Sequence, residues 1–142
     1  MVKMVKVFYG EKGMGKTKML VDMANKYVDT GKGSVVFIDD SNDLMYKLKH
    51  TMRFTNISDY PIKGAAPFFA FICGIVSQDF DIEAVFIDGL TYIVKESING
   101  LEWFFEALDK LAAQFDIHFF LSINGTQSDM PEYLKVFIHD QR

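Results

Sequence analysis

One short stretch near the start of the chain restricts the possible folds more than any other, and it reads Gly10-Glu11-Lys12-Gly13-Met14-Gly15-Lys16-Thr17. It matches the pattern G-x-x-x-x-G-K-[ST], in which the backbone N–H groups of a glycine-rich loop surround phosphate oxygens. Residues 4–9 before it have the composition of a buried strand, and apolar residues recur with helical spacing over 17–28. This context favours a phosphate site, because the helix after the loop begins with unpaired N–H groups and the positive end of its dipole.

The residue types in this stretch match the steps of nucleotide binding. We expect Gly10, Gly13 and Gly15 to adopt positive φ angles and to let the backbone approach the phosphates closely. Lys16 is expected to reach the β- and γ-phosphates, and Thr17 to offer its hydroxyl to Mg²⁺. The rest of the predicted nucleotide-binding set consists of Glu11, Lys12, Met14 and Lys18. For Lys12, a solvated lysine outside the site is an equally good interpretation.

Composition and charge limit the other possibilities. A chain of 142 residues that is 49% hydrophobic predicts a single domain, residues 1–142, with a proper core. The net charge of −4 argues against a nucleic-acid-binding surface. A single cysteine excludes an intrachain disulfide and a multi-cysteine zinc site, and Cys73 is expected to be buried and inert. No signal peptide or membrane-spanning run is recognisable, so we expect a cytoplasmic protein without a membrane partner.

Strand and helix patterns alternate along the rest of the chain. Buried strands are predicted over 34–39, 83–88 and 117–122, with a weaker edge strand at 53–57. Helices are predicted over 44–49, 68–77, 97–114 and 132–138. The alternation predicts a parallel α/β sheet with helices on both faces. The segment 68–77 is apolar almost all round, which favours burial on several sides or, as the alternative, a subunit interface.

A carboxylate follows the strand at 83–88, and this position suits a metal site. Asp88 ends a run of four apolar residues, and the carboxyl ends of parallel strands gather at one edge of a sheet. We therefore expect Asp88 to lie beside Thr17 and to help hold Mg²⁺, usually through water. The alternative is an aspartate that only caps the following loop.

Together these segments resemble the RecA-like branch of P-loop ATPases, from residue 4 to about residue 125. Val36-Phe37-Ile38-Asp39 stands where that branch has the strand carrying its catalytic acid, and Ala84-Val85-Phe86-Ile87-Asp88 stands at its Mg²⁺ strand. Phe119-Phe120-Leu121-Ser122-Ile123-Asn124 stands at the strand that ends in a polar γ-phosphate sensor. The resemblance implies a three-layer P-loop NTPase fold with a mainly parallel five-stranded sheet, whose last strand inserts between the loop strand and the Asp88 strand. It also implies roles for Asp39 in orienting the attacking water and for Asn124 in sensing the γ-phosphate.

The sequence departs from that branch in ways that bear on catalysis. The branch places a glutamate after the second strand, whereas this chain has Asp39-Asp40-Ser41, so Asp39, Asp40 or neither could orient water. The only arginines are Arg53 and Arg142, and neither lies in a telling motif. We therefore expect slow ATP hydrolysis, raised by self-association or by a protein partner.

The layout is also similar to small bacterial P-loop proteins labelled as twitching-motility-type ATPases, although the further acidic and histidine motifs of true motility ATPases are missing.

Other nucleotide-binding classes fit less well. GTP specificity needs N-K-x-D after a late strand, and the nearest match places the aspartate one position too late, at Asp29 in the first helix. Partition-type ATPases need a lysine where this chain has Glu11, and a thymidine-kinase zinc cluster cannot be built from one cysteine. Two alternatives remain beside a slow Mg-ATPase that binds ATP and ADP. One is a non-catalytic ATP sensor that orders a surface for a partner, and the other is a small-molecule kinase.

Overall fold

The computed structural model describes residues 3–139 of the chain. Its centre is a sheet of five strands: β1 (Val5–Gly10), β2 (Ser34–Asp39), β3 (Arg53–Asn56), β4 (Ile82–Ile87) and β5 (His118–Asn124). All neighbouring strands are parallel, in the order β1-β5-β4-β2-β3. The last strand therefore lies between the loop strand and the strand that precedes Asp88, as the resemblance implied.

Four helices cover the two faces of this sheet, namely α1 (Lys16–Thr30), α2 (Ala65–Ser77), α3 (Leu90–Val94) and α4 (Glu102–Phe115). On one face, α1 packs Leu20 and Ala24 against a layer that includes Phe37 and Phe86. On the other face, α2, α3 and α4 join a larger apolar cluster with the remaining strand residues. The predicted fold class, a three-layer α/β fold with helices on both sides of a parallel sheet, is confirmed.

Several predicted helices are shorter or of another type. The helix predicted over 97–114 begins at Glu102, because Ser97 accepts a hydrogen bond from the Asn99 N–H and starts a 3₁₀ turn at Ile98–Gly100. The segments predicted as helices over 44–49 and 132–138 contain the 3₁₀ turns Met45–Lys47 and Glu132–Phe137.

The expectation that the apolar helix is buried on several sides is wrong. In α2 one face is buried, formed by Ala65, Phe68, Ile72 and Val76. The opposite face is exposed or half-buried, including Cys73, which is therefore not the buried thiol that we expected. Partial burial raises the pKa of this thiol and keeps it in the unreactive protonated form.

The carboxy-terminal end of the described chain returns to β1. Ile138 forms a parallel bridge with Val7, and the His139 N–H donates to the Val7 carbonyl at 2.9 Å. The other outer strand, β3, is only four residues long. None of the helices within residues 3–139 is long and apolar enough to cross a bilayer.

Candidate functional site

The glycine-rich loop connects β1 to α1 at the carboxyl edge of the sheet. Gly13 and Gly15 have φ angles of 89° and 85°, which only glycine adopts at little cost. A Cβ at either position would have no atom within 4 Å, so the loop is open on the side where a ligand would approach. The expectation that Gly10 has a positive φ is wrong. Gly10 ends β1 without a positive φ, and its carbonyl accepts from the Gly125 N–H at 3.0 Å.

The helix that follows the loop begins without a side-chain cap. Gly15 occupies the N-cap position, and no side chain accepts a hydrogen bond from the first turn of α1. The first intrahelical bond runs from the Met19 N–H to the Gly15 carbonyl at 3.1 Å. The N–H groups of the first turn are therefore available to an anion, which the helix dipole also favours.

Lys16 is the most buried cation of the site, with 5% of its surface exposed. Its Nζ donates to the Glu11 carbonyl oxygen at 2.7 Å, so the ammonium lies across the mouth of the loop. Burial lowers the pKa of Lys16, while the Asp88 carboxylate opposes that change. An anion in the loop would supply a counter-charge for this ammonium. Such a counter-charge stabilises a buried cation more than an exposed one.

The structure brings Thr17 and Asp88 together across the sheet edge. The Thr17 hydroxyl lies 3.1 Å from Oδ1 of Asp88 and 3.2 Å from Oδ2. Asp88 directly follows β4, and its N–H donates to the Ile38 carbonyl at 3.0 Å, which fixes the backbone position. A hydroxyl beside a carboxylate is an oxygen-only donor set, and Mg²⁺ needs few protein ligands when phosphates and waters complete its shell. The residues present fit a Mg²⁺ ion held beside a nucleotide.

Asp39 ends β2 and is 5% exposed, which is unusual for a carboxyl group. Its Oδ1 accepts from the Asp40 N–H at 2.8 Å. The pKa of Asp39 is raised to about 7, chiefly by desolvation. The hydrogen bond from the Asp40 N–H opposes this rise, and the nearby Asp88 and Asp40 carboxylates add to it. A buried carboxyl that titrates near neutrality, in a cleft beside a second carboxylate, has the properties of a general base or water-orienting group.

These groups line one cavity of about 510 Å³. It brings together the loop, the ends of β2, β4 and β5, and the start of α3, with the lining side chains Lys12, Lys16, Thr17, Asp39, Asp40, Asp88, Tyr92, Ser122 and Asn124. Asn124 lies opposite Gly10 in the strand register, and its side chain has no hydrogen-bond partner among residues 3–139. It is thus free to contact a ligand, as a phosphate sensor would.

The remaining residues of the predicted nucleotide-binding set, Glu11, Met14 and Lys18, do not line this cavity. Glu11 and Met14 are exposed, and Met14 leaves 69% of its surface in solvent. The Lys18 ammonium pairs with Asp22 at 2.7 Å, so its side chain is directed along the helix surface. The side chains of these three residues are thus directed away from the cavity, whereas Lys12 and Lys16 line it.

Two features of the site were not predicted. Ser122 lies inside β5 and contacts Asp88, whereas the sequence-based prediction assigned it no role beyond its place in an apolar strand. The signal was a single hydroxyl in the otherwise apolar run 119–123. The second feature is a neighbouring cavity of about 630 Å³, which shares Asp40 and Tyr92 with the first.

The arginines do not reach the site within the described residues. The Arg53 guanidinium pairs with Asp79 at 3.0 Å and does not line the cavity. Arg142 lies outside the described residues. His118 is half-buried, and its Nδ1 has no hydrogen-bond partner in residues 3–139. It packs against the Tyr27 and Phe120 rings instead, away from the cavity.

Comparison with known proteins supports the fold. No protein-family model matches the sequence, and no curated protein matches it either. Among solved structures, the chain is similar to the flagellar accessory protein FlaH from Methanocaldococcus jannaschii. The TM-score is 0.54 at 12% sequence identity, over 95% of this chain and 67% of the FlaH chain. At this identity the likeness shows the fold alone, an α/β architecture with helices on both faces of a parallel sheet.

Proposed function

We propose that this protein binds Mg-ATP and hydrolyses it slowly, with turnover raised by a partner or by self-association. The observation that carries the proposal is the contact of Thr17 with Asp88 beside the open glycine-rich loop. The loop and Lys16 would hold the β- and γ-phosphates, and Thr17 and Asp88 would hold the metal, directly and through water. Bound Mg²⁺ would neutralise phosphate charge and orient the γ-phosphate.

We assign to Asp39 the role of orienting the water that attacks the γ-phosphate. It is buried beside Asp88, and its pKa of about 7 leaves a basic fraction at neutral pH. Asn124, whose amide lines the same cavity, would contact the γ-phosphate from the end of β5. An aspartate is one carbon shorter than the glutamate of RecA-like enzymes, which is one reason to expect slow turnover.

The second reason for slow turnover is the position of the arginines. An arginine that stabilises the transition-state charge is worth roughly 10³–10⁵ in rate in P-loop enzymes. Arg53 is paired with Asp79 and does not line the cavity. Within residues 3–139 no arginine is placed to supply this charge, so we expect a second copy of the chain or another protein to supply it. We place this activity in one nucleotide-binding domain, residues 1–142, in the cytoplasm; a motility role forms no part of the proposal.

A second candidate function is phosphoryl transfer to a small molecule. The cavity of about 630 Å³ adjoins the phosphate cavity and is lined by Ser58, Tyr60, Lys63, Lys95 and Glu96 in addition to apolar groups. Such a cavity is large enough for a small acceptor. Kinases also close a lid that bears arginines over the phosphates, and this chain offers no arginine there within residues 3–139. A non-catalytic ATP sensor is the remaining alternative, since it needs the loop and metal site alone.

Purified protein with γ-labelled ATP and Mg²⁺ distinguishes the three functions in one experiment. Release of labelled phosphate supports the ATPase, retention of intact ATP supports the sensor, and label on a third molecule from a metabolite extract supports the kinase. Lys16→Ala is expected to remove binding, and Lys26→Ala, on the exposed side of the same helix, is the matched control. If Lys16→Ala bound labelled ATP as well as wild type does, the assigned site would be refuted.

A further inference from the structure

Ser122 is a hydroxyl side chain in an otherwise apolar strand. It is 3% exposed, and its neighbours Leu121 and Ile123 are fully buried. Its Oγ donates to Oδ1 of Asp88 at 2.6 Å and accepts from the Gly89 N–H at 2.7 Å. The hydroxyl therefore acts as both donor and acceptor, and both of its partners are in the two residues that directly follow β4. A buried O–H to carboxylate bond of this length is charge-assisted and strong.

The two hydroxyls that contact Asp88 do so differently. Thr17 Oγ1 is almost equidistant from the two carboxylate oxygens, at 3.1 and 3.2 Å, so it does not select one of them. Ser122 contacts Oδ1 alone, and the shorter distance indicates the stronger bond. Ser122 thus holds one oxygen of the carboxylate, whereas Oδ2 accepts from the Thr17 hydroxyl alone among residues 3–139.

We propose that Ser122 is a positioning residue that orients Asp88 for Mg²⁺ bound with the nucleotide. The inference rests on the proposed function, because it concerns the same metal site. Residues that hold a metal-binding carboxylate by a hydrogen bond typically change metal affinity by about 10–100-fold when they are removed. A purely structural Ser122, which only satisfies the Gly89 N–H, would change the stability of the apoprotein and leave metal affinity unchanged.

The test compares ATP affinity with Mg²⁺ and without it. For each variant of the full chain, the dissociation constant of ATP is measured by calorimetry in excess Mg²⁺ and again in EDTA. The constant in EDTA divided by the constant in Mg²⁺ reports how much the metal strengthens ATP binding. This ratio is insensitive to changes in the stability of the protein. Ser122→Ala should reduce this ratio by about 10-fold or more and leave the affinity in EDTA unchanged. Ser122→Thr keeps the hydroxyl and should restore the ratio to within about 3-fold of wild type, as expected for a retained hydrogen bond.

A double-mutant cycle shows whether the effect passes through Asp88. In an Asp88→Asn background, Ser122→Ala should not reduce the ratio further, because the carboxylate that it positions is absent. If Ser122→Ala does not fold, Ser122→Cys, with a similar size and a weaker donor, should give an intermediate loss. A wild-type ratio in Ser122→Ala or Ser122→Cys, or a full additional loss in Asp88→Asn, would overturn the inference. A wild-type protein with no Mg²⁺ dependence would instead refute the proposed metal site itself.

Discussion

Replacing Asp39 by asparagine tests the buried carboxyl group of the site most directly. The substitution keeps the shape of the side chain and an oxygen that can accept from the Asp40 N–H, but it removes the charge. Because the side chain is 5% exposed, ionisation in the folded protein requires a charge with little hydration beside Asp88. We therefore expect Asp39→Asn to stabilise the protein without nucleotide at high pH and to change its stability little at low pH.

The size of this effect follows from the pKa of Asp39, which burial raises from 3.8 to about 7. The folded chain binds this proton more tightly than the unfolded chain, so stability falls as pH rises from about 4 to 7 and is level above. A pKa difference of about three corresponds to an upper limit of about 4 kcal/mol. The cavity is open to solvent, which screens the charge, so we expect a gain of about 1–3 kcal/mol for Asp39→Asn at pH 8.

Urea unfolding of both proteins at pH 5 and pH 8, without nucleotide, measures this gain. The difference in unfolding free energy between the variant and wild type should be larger at pH 8 than at pH 5 by about 60% of that gain, because stability already begins to fall near pH 4. Asp43→Asn, at an exposed position four residues beyond Asp39, the last residue of β2, should show no such pH dependence. Turnover of wild type should show the opposite trend and rise with pH through about 7, because ionised Asp39 is the form that orients water. Equal stabilisation at both pH values would refute a buried, protonated Asp39.

Three further outcomes are expected. With ATP at about a hundred times its dissociation constant, wild type should gain about 2.7 kcal/mol in a melting experiment, and Lys16→Ala should lose this gain while Lys26→Ala keeps it. Asp88→Asn should keep a melting response to ATP in EDTA but lose the additional response to Mg²⁺; an unchanged Mg²⁺ response would remove Asp88 from the metal site. Glu83→Ala should cost about 1–3 kcal/mol in urea unfolding, because Oε2 of Glu83 accepts from two loop N–H groups, at 3.0 and 3.1 Å, in the turn before β2. Glu83→Gln retains an acceptor oxygen and should cost clearly less; equal losses would show that the charge, rather than the hydrogen bonds, matters there.

Local patterns were sufficient to predict much of this fold. The run at 34–39 and the helix after the glycine-rich loop follow from apolar spacing, and that spacing reflects which side of each element faces the sheet. The position of Asp88 beside Thr17 follows from a general property of parallel sheets, since their strand ends share one edge. These inferences needed no knowledge of distant contacts.

The features that the sequence did not predict depend on distant contacts. Ser122 contacts Asp88 only because β5 lies beside β4, and the two residues are 34 positions apart. The outer face of α2 is apolar, so its pattern does not indicate which side meets the sheet. The high pKa of Asp39 likewise depends on burial that three strands create together, and composition does not encode that burial.

The contact of the carboxy-terminal segment with β1 has a consequence for how copies of this chain can associate. His139 already donates to the Val7 carbonyl, so a foreign strand would have to displace that segment to add at this side. Strand addition would thus occur at β3, the four-residue strand at the opposite side. If two copies pair through their β3 edges, the outer edge of each copy is β1, which the carboxy-terminal segment already covers. Association by this route therefore stops at a dimer and does not continue into an extended sheet.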